Sequence, residues 1–356
     1  MLALRLARGS RPLVQLRRLL VAAASAGTGF LLLYVLAGAV ARPGGSFPRL
    51  LWALVPLAAT VQFAVAVART DPATRPRAGL DAAGLGPVRL SRVAAISTAV
   101  ACGLGSALAL AAFLHLRGDL AGLPFDGAGA ALLHADQPLP VAAALTLLVL
   151  VPLTAAAAVL TLPRRKPLAP QTGLPWGIAI TACGLAVEAY AGPAGPGMLA
   201  GWSLTAAGLA LAGPGLAYAS GTLVQAARPG ALRLLAGRAL QEEAPRVGPP
   251  LGMLCAVGAG ALTALALRDH SGALLPLGPL TGPAAALVAL CAAATLLTSA
   301  VEARQGRAAG REALTDLGAP AKVLRTAASL RATALVAVCV PLSWGVAQLT
   351  SLALTR

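Results

Sequence analysis

Apolar and polar positions in this chain are sorted into blocks. Nine apolar runs, at about 19–41, 50–68, 93–116, 140–162, 174–191, 198–224, 250–267, 283–300 and 333–354, are separated by segments rich in arginine, glycine and proline. Each run holds at least 18 residues. About 20 apolar helical residues cross the roughly 30 Å hydrocarbon core of a bilayer. The pattern therefore predicts an all-α integral membrane protein with about nine transmembrane helices.

The segments between the runs differ in kind. Some are bare turns, such as RPGGSFPR between the first two runs and GPAGPG between the fifth and sixth. Others are long and basic. Residues 1–18 carry five arginines with leucines at Leu2, Leu4, Leu6, Leu13 and Leu16, which reads as an amphipathic segment on the membrane surface. Composition agrees with this picture. The chain is 58% hydrophobic and 11% charged, with mean hydropathy +0.79, too apolar for a water-covered domain of this length.

A net charge of +16 would suggest nucleic acid as partner of a soluble protein. Here the charge lies between apolar runs, so no nucleic-acid partner is expected, and the lipid bilayer accounts for it. Five basic residues stand in 1–18, five in 69–92, three in 164–166, four in 228–249 and six in 301–332, against five elsewhere. Basic loops stay on the cytoplasmic side. The expected localisation is the cell membrane, multi-pass, with the N-terminus cytoplasmic and the C-terminus extracytoplasmic. The first run lacks the small-residue pattern of a cleavable leader, so none is expected.

Residues 301–332, VEARQGRAAGREALTDLGAPAKVLRTAASLRA, are too long and too patterned for a plain linker. Gly318 followed by Pro320 reads as a helix stop and a helix start, a short surface helix hinged to the one that enters the bilayer. Arg311, Glu312, Asp316, Lys322 and Arg325 are candidate docking contacts there.

The chain also carries a weak internal repeat. ALRL at 3–6 recurs at 231–234, and LDAAGLGPVRLSRVAA from Leu80 aligns with LTDLGAPAKVLRTAAS from Leu314, bringing Leu80 to Leu314, Gly84 to Gly318 and Leu90 to Leu324. Each copy reads surface helix, span, outer turn, span, cytoplasmic helix, span. Both copies run in the same sense, so the expected relation is a parallel repeat about an axis along the membrane normal. The expected divisions are a first half at 1–166, a two-span insert at 167–227 and a second half at 228–356.

At this point the chain resembles the FtsX-like permease family, also called MacB-type or type VII ABC transporter permeases. Their cytoplasmic loop after the second span typically carries an "aLrxLGAt-x-x-q-v" motif. REALTDLGAPAKVLRTAASLRA (311–332) is similar through Ala313, Leu314, Leu317, Gly318, Ala319 and Val323. The first copy keeps only Leu80 and Gly84. The specific motifs cover about 40 residues. Two departures stand out: RPGGSFPR occupies the place where the family often has a large extracytoplasmic domain, and the second copy lacks a fourth span. The resemblance implies a separate cytoplasmic ABC ATPase subunit as partner, with coupling through Leu80, Gly84, Leu314, Leu317, Gly318, Ala319 and Pro320. It also implies export or extraction of a hydrophobic or amphipathic substrate.

Chemistry within the chain is sparse. No GxxxxGK[ST] loop is present, so no cofactor is expected in this chain and ATP would be bound by the partner. The five cysteines form no CxxC and no Cys/His cluster, and His115, His134 and His270 are widely spaced, so neither a metal site nor enzyme activity is expected. Glu188 is the one carboxylate inside an apolar run. It stands a turn from the run's outer end, where an interfacial position with access to water is expected. The alternative to a transporter is a non-transporting membrane anchor or regulator on the same scaffold.

Overall fold

The computed structural model describes residues 12–42, 46–70, 87–120, 124–161, 170–191, 196–226, 230–271, 280–307, 316 and 320–355. Among the described residues there are nine long helices and no strand. They are α1 (Pro12–Ala41), α2 (Ser46–Thr70), α3 (Pro87–Arg117), α4 (Val141–Thr161), α5 (Pro170–Ala191), α6 (Pro196–Ala226), α7 (Ala231–Ser271), α8 (Thr281–Gly306) and α9 (Ala321–Thr355). Every one of these has a proline within two residues of its first position. Proline there presets φ and sacrifices only an N–H that a helix start leaves unpaired.

All but α2 are long and apolar enough to cross a membrane, and the described apolar part of α2 is the shorter stretch Ala53–Arg69. The lipid-facing surface can be read from i, i+4 stripes of exposed apolar side chains. Ile96, Val100, Leu104 and Leu108 form one on α3, and Val336, Val340 and Trp344 form another on α9. Hydroxyls point the other way: Ser25, Thr28, Thr60 and Ser106 are buried. Apolar outside and hydroxyl inside is the distribution that lipid favours. The chain is a multi-pass membrane protein.

Two compact units form, one from Met1–Arg165 with Pro279–Cys291 and one from Lys166–Gly278 with Ala292–Arg356. In the first unit α1 and α3 run parallel and close. Gly105 makes this possible, since a Cβ there would come within 2.9 Å of Ser25 Cβ and 3.0 Å of the Ala26 nitrogen. The Ser25 hydroxyl donates to the Cys102 carbonyl at 2.8 Å, and the Thr28 and Thr60 hydroxyls meet at 2.7 Å between α1 and α2. Leu33, Phe113, Leu133 and Leu148 form the core at the far end, with Phe30 edge-on to Phe113 at 5.5 Å. Leu133 comes from the loop after α3. That loop begins with a helix stop in which Gly118, at φ +92°, donates to His115 and Asp119 donates to Leu114 at 2.9 Å. The buried Arg117 donates to the Gln137 carbonyl and pairs with Asp119 at 3.3 Å, which folds the loop back over the core.

In the second unit α5 and α6 pack antiparallel through small residues. Leu174 faces Gly215, Gly177 faces Ala212, Thr181 faces Gly208, Gly184 faces Thr205, and Glu188 faces Gly201. The glycines recur every seven residues on both helices, and each contact has a glycine on one side. The two backbones can therefore approach as bulkier pairs would forbid. Beyond them α6 packs on α7 the same way, Gly221 lying against Gly237 and Gly213 against Gly248.

One sequence expectation needs correcting here. The surface helix expected at the ALRL of 231–234, ahead of a span at about 250–267, is not separate from that span: α7 is continuous through Pro245, Pro249 and Pro250 for 41 residues, about 60 Å at 1.5 Å per residue. Three prolines remove hydrogen bonds and favour bends. The glycine-lined contact with α6 on both sides of them holds the helix together. Helices α5 and α6 pack in the same unit as α7 and α9.

Candidate functional site

Of the residues to which the sequence assigned coupling, Leu80, Gly84, Leu314, Leu317, Gly318 and Ala319 lie outside the described residues. Pro320 is described. It is exposed, and its carbonyl accepts the Val323 N–H at 2.9 Å, which opens α9. Lys322 and Arg325 are exposed on the first turns of α9, and Asp316 is exposed ahead of it. Helix α9 then continues without a break into the ninth apolar run. Pro341 lies inside it, so the helix is continuous but carries one point that favours a bend.

Close to this end of α9 lies an ion cluster that the sequence did not disclose. Glu243, the thirteenth residue of α7, takes two arginines on a single oxygen. Arg307, just past the end of α8, pairs with Glu243 Oε1 through its NH1 group. Arg331 on α9 reaches the same Oε1 at 3.4 Å. Both arginines are braced in the same manner. Arg307 Nε donates to the Ala303 carbonyl at 3.1 Å and Arg331 Nε to the Ala327 carbonyl at 3.3 Å, each one turn back on its own helix. Their outer nitrogens are left to face Glu243. The side chains are 16% exposed at Glu243, 18% at Arg331 and 31% at Arg307, so the pairs are better shielded than ordinary surface ion pairs. One carboxylate therefore ties α7, the end of α8 and the base of α9.

All the sequence shows of it is two adjacent carboxylates, Glu242 and Glu243, inside the basic segment 228–249. The partners are 64 and 88 residues further on, beyond the reach of spacing rules. Displaced by the 228- and 234-residue repeat offsets, Glu243 falls on Gln15 and Arg331 on Ser97. The offsets that relate the two similar sequence stretches thus bring no counterpart of the ion cluster into residues 1–166.

Glu188 also departs from expectation. Its side chain is wholly buried in this packing. Gly201 is the reason: a Cβ there would lie 2.5 Å from Glu188 Cγ, so glycine alone lets α6 close over the carboxyl. Thr205 donates to Glu188 Oε1 at 3.0 Å, Oε2 accepts no hydrogen bond, and the Thr350 hydroxyl of α9 faces the carboxyl.

Parallel packing of α7 on α9 completes the unit. Cys255 and Cys339 face each other, Gly258 faces Ser343, and the Thr263 hydroxyl points at the Ala347 carbonyl at 3.5 Å. Among the described residues no group of three or more His, Cys, Asp or Glu side chains is placed to hold a metal ion. Helix α9 thus has polar contacts near both ends, at Arg331 and at Thr350. No protein-family model, no curated protein and no solved structure matches the chain.

Proposed function

We propose that this chain is the permease subunit of an ABC-type transporter of the FtsX-like kind. A separate cytoplasmic ATPase would drive it to export or extract a hydrophobic or amphipathic substrate across the cell membrane. The N-terminus and the 301–332 segment face the cytoplasm in this reading, and the C-terminus faces outward.

The observation that carries it is the correspondence between the α1–α3 and α7–α9 pairs. In each proposed half the first and third helices run parallel and in contact. Displaced by the repeat offsets, Gly27 becomes Cys255 and Gly105 becomes Cys339. Cys255 faces Cys339 between α7 and α9, whereas Gly105 packs on Ser25 and Ala26 of α1 and Gly27 faces Leu287, so the two pairs correspond in direction and in being in contact, not residue by residue. The shared parallel sense of the two pairs supports a parallel duplication.

In this reading the ATPase pushes on the segment ending at Pro320, and α9 carries the displacement into the bilayer. The Glu243 cluster resists that displacement until the stroke supplies enough work to part the arginines from their carboxylate. ATP is bound by the partner, and this chain performs no catalysis.

The test is purification of the chain with an ATPase subunit encoded beside it. Wild-type protein is expected to hold the ATPase and to raise its ATP hydrolysis, whereas Leu314→Asp and Gly318→Pro lose the complex. Retention of the complex by both variants would overturn the coupling assignment. Absence of any bound ATPase in the wild type favours an anchor or regulator, for which the brevity of RPGGSFPR is the supporting observation.

A further inference from the structure

Glu188 plays no part in the ATPase-coupled reading, yet its surroundings are the least ordinary in the molecule. A bare carboxylate buried away from water costs several kcal/mol or more unless a positive charge balances it. None is supplied by the helices that enclose it. Helix α5 has no charged residue besides Glu188, α6 has none, and α9 has none after Arg331, which is nineteen residues from Thr350. Besides Lys322, Arg325 and Arg331 near the start of α9, the other titratable side chains of those helices are Cys183 and Tyr190 on α5, Tyr218 on α6 and Cys339 on α9. Cys183 and Tyr190 are exposed, so they are turned away from the carboxyl.

What does face the carboxyl is hydroxyl. Thr205 donates to Oε1, Thr350 stands beside it from α9, and Oε2 is left with no partner although fully enclosed. An oxygen-only set with a single negative charge suits one small, hard, singly charged ion. It suits neither a soft metal nor a divalent one, which would need further anionic ligands.

We propose that the Glu188 carboxyl, with the Thr205 and Thr350 hydroxyls, forms a binding site for one monovalent cation, a proton or an alkali ion. Because α9 supplies Thr350, the site is complete only while α9 is packed on α5 and α6. Release of the cation goes with movement of α9, and a cation gradient can bias that helix independently of any ATPase.

Dicyclohexylcarbodiimide tests this, because it adds only to a carboxyl that carries a proton and leaves a stable acylurea. The full-length protein in detergent micelles is treated across a pH series without alkali ions, then at fixed pH with sodium chloride replacing choline chloride. Labelling is read as added mass on the peptide holding Glu188, and thermal melting is followed in parallel for wild type, Glu188→Gln and Thr350→Val. Labelling that sodium leaves undiminished identifies the proton as ligand. Labelling lost as sodium rises, or melting raised by sodium in the wild type alone, identifies an alkali ion. Thr350→Val is expected to weaken either dependence while keeping the fold. The proposal falls if Glu188 stays unlabelled throughout and the wild type and Glu188→Gln melt with the same dependence on pH and sodium.

Discussion

Arg331 and Thr350 stand on the same helix, roughly 28 Å apart along its axis, and each faces a glutamate from another helix. Arg331 meets Glu243 of α7, and Thr350 faces Glu188 of α5. Helix α9 is therefore held near both ends by polar contacts and in the middle by small-residue packing on α7. Pro341 lies midway between the two contacts, the point on the helix that favours a bend.

Glu243→Gln should lower stability by about 2 kcal/mol, because two partly buried guanidiniums lose their shared carboxylate. Arg307→Gln and Arg331→Gln should each cost less, since the other arginine still pairs with Glu243. In the double variant Glu243→Gln/Arg331→Gln the losses should fall short of the sum of the single ones, as expected for residues in one network. Denaturant-dependent unfolding in micelles measures all four.

Glycines of the helices should divide sharply by what they face. Gly184→Leu and Gly201→Leu should prevent normal folding or cost several kcal/mol, since backbone of the facing helix occupies the space a side chain needs. Gly103→Ala in α3 and Gly345→Ala in α9 meet nothing within 4 Å and should stabilise by about 0.5–1 kcal/mol through helix propensity. Expression level and melting temperature in one detergent separate the two classes.

Cys255 and Cys339 should be joined by a short bifunctional thiol reagent within one chain. Cys255→Ser and Cys339→Ser should each abolish the product, read as intact mass after proteolysis between α7 and α9. Cys339 is half-buried and Cys255 buried, so Cys339 should react first with a monofunctional maleimide. Failure to cross-link would contradict the α7–α9 register.

The loop after α3 should depend on Gly118 and Arg117. Gly118→Ala places a Cβ on a residue at φ +92° and should cost about 1 kcal/mol. Arg117→Ala removes the guanidinium that holds Asp119 and the Gln137 carbonyl. Cleavage by a protease within 118–139 should accelerate in both variants relative to wild type.

Sidedness is checked by single cysteines in a background lacking the native thiols. Lys322→Cys, exposed on α9, should be reached by an impermeant maleimide only from the cytoplasm, and Asp126→Cys only from outside. Labelling of both from the same side would remove the expected topology.

The sequence by itself determined the class of molecule. Runs of 18 or more apolar residues leave the backbone no option in lipid but the helix, and proline beside each start set where the helices begin. Small residues announced that the helices would pack closely. Tertiary structure decided what those helices do to one another. Pro245, Pro249 and Pro250 read as a boundary, but contact with α6 keeps α7 whole. Glu188 read as interfacial because only its distance from the run's end was visible, whereas Gly201 of the next helix closes over it. Glu243 and its arginines lie too far apart in the chain for any periodicity to join them. Periodicity describes one helix at a time, while burial and pairing depend on which helix comes to stand beside it.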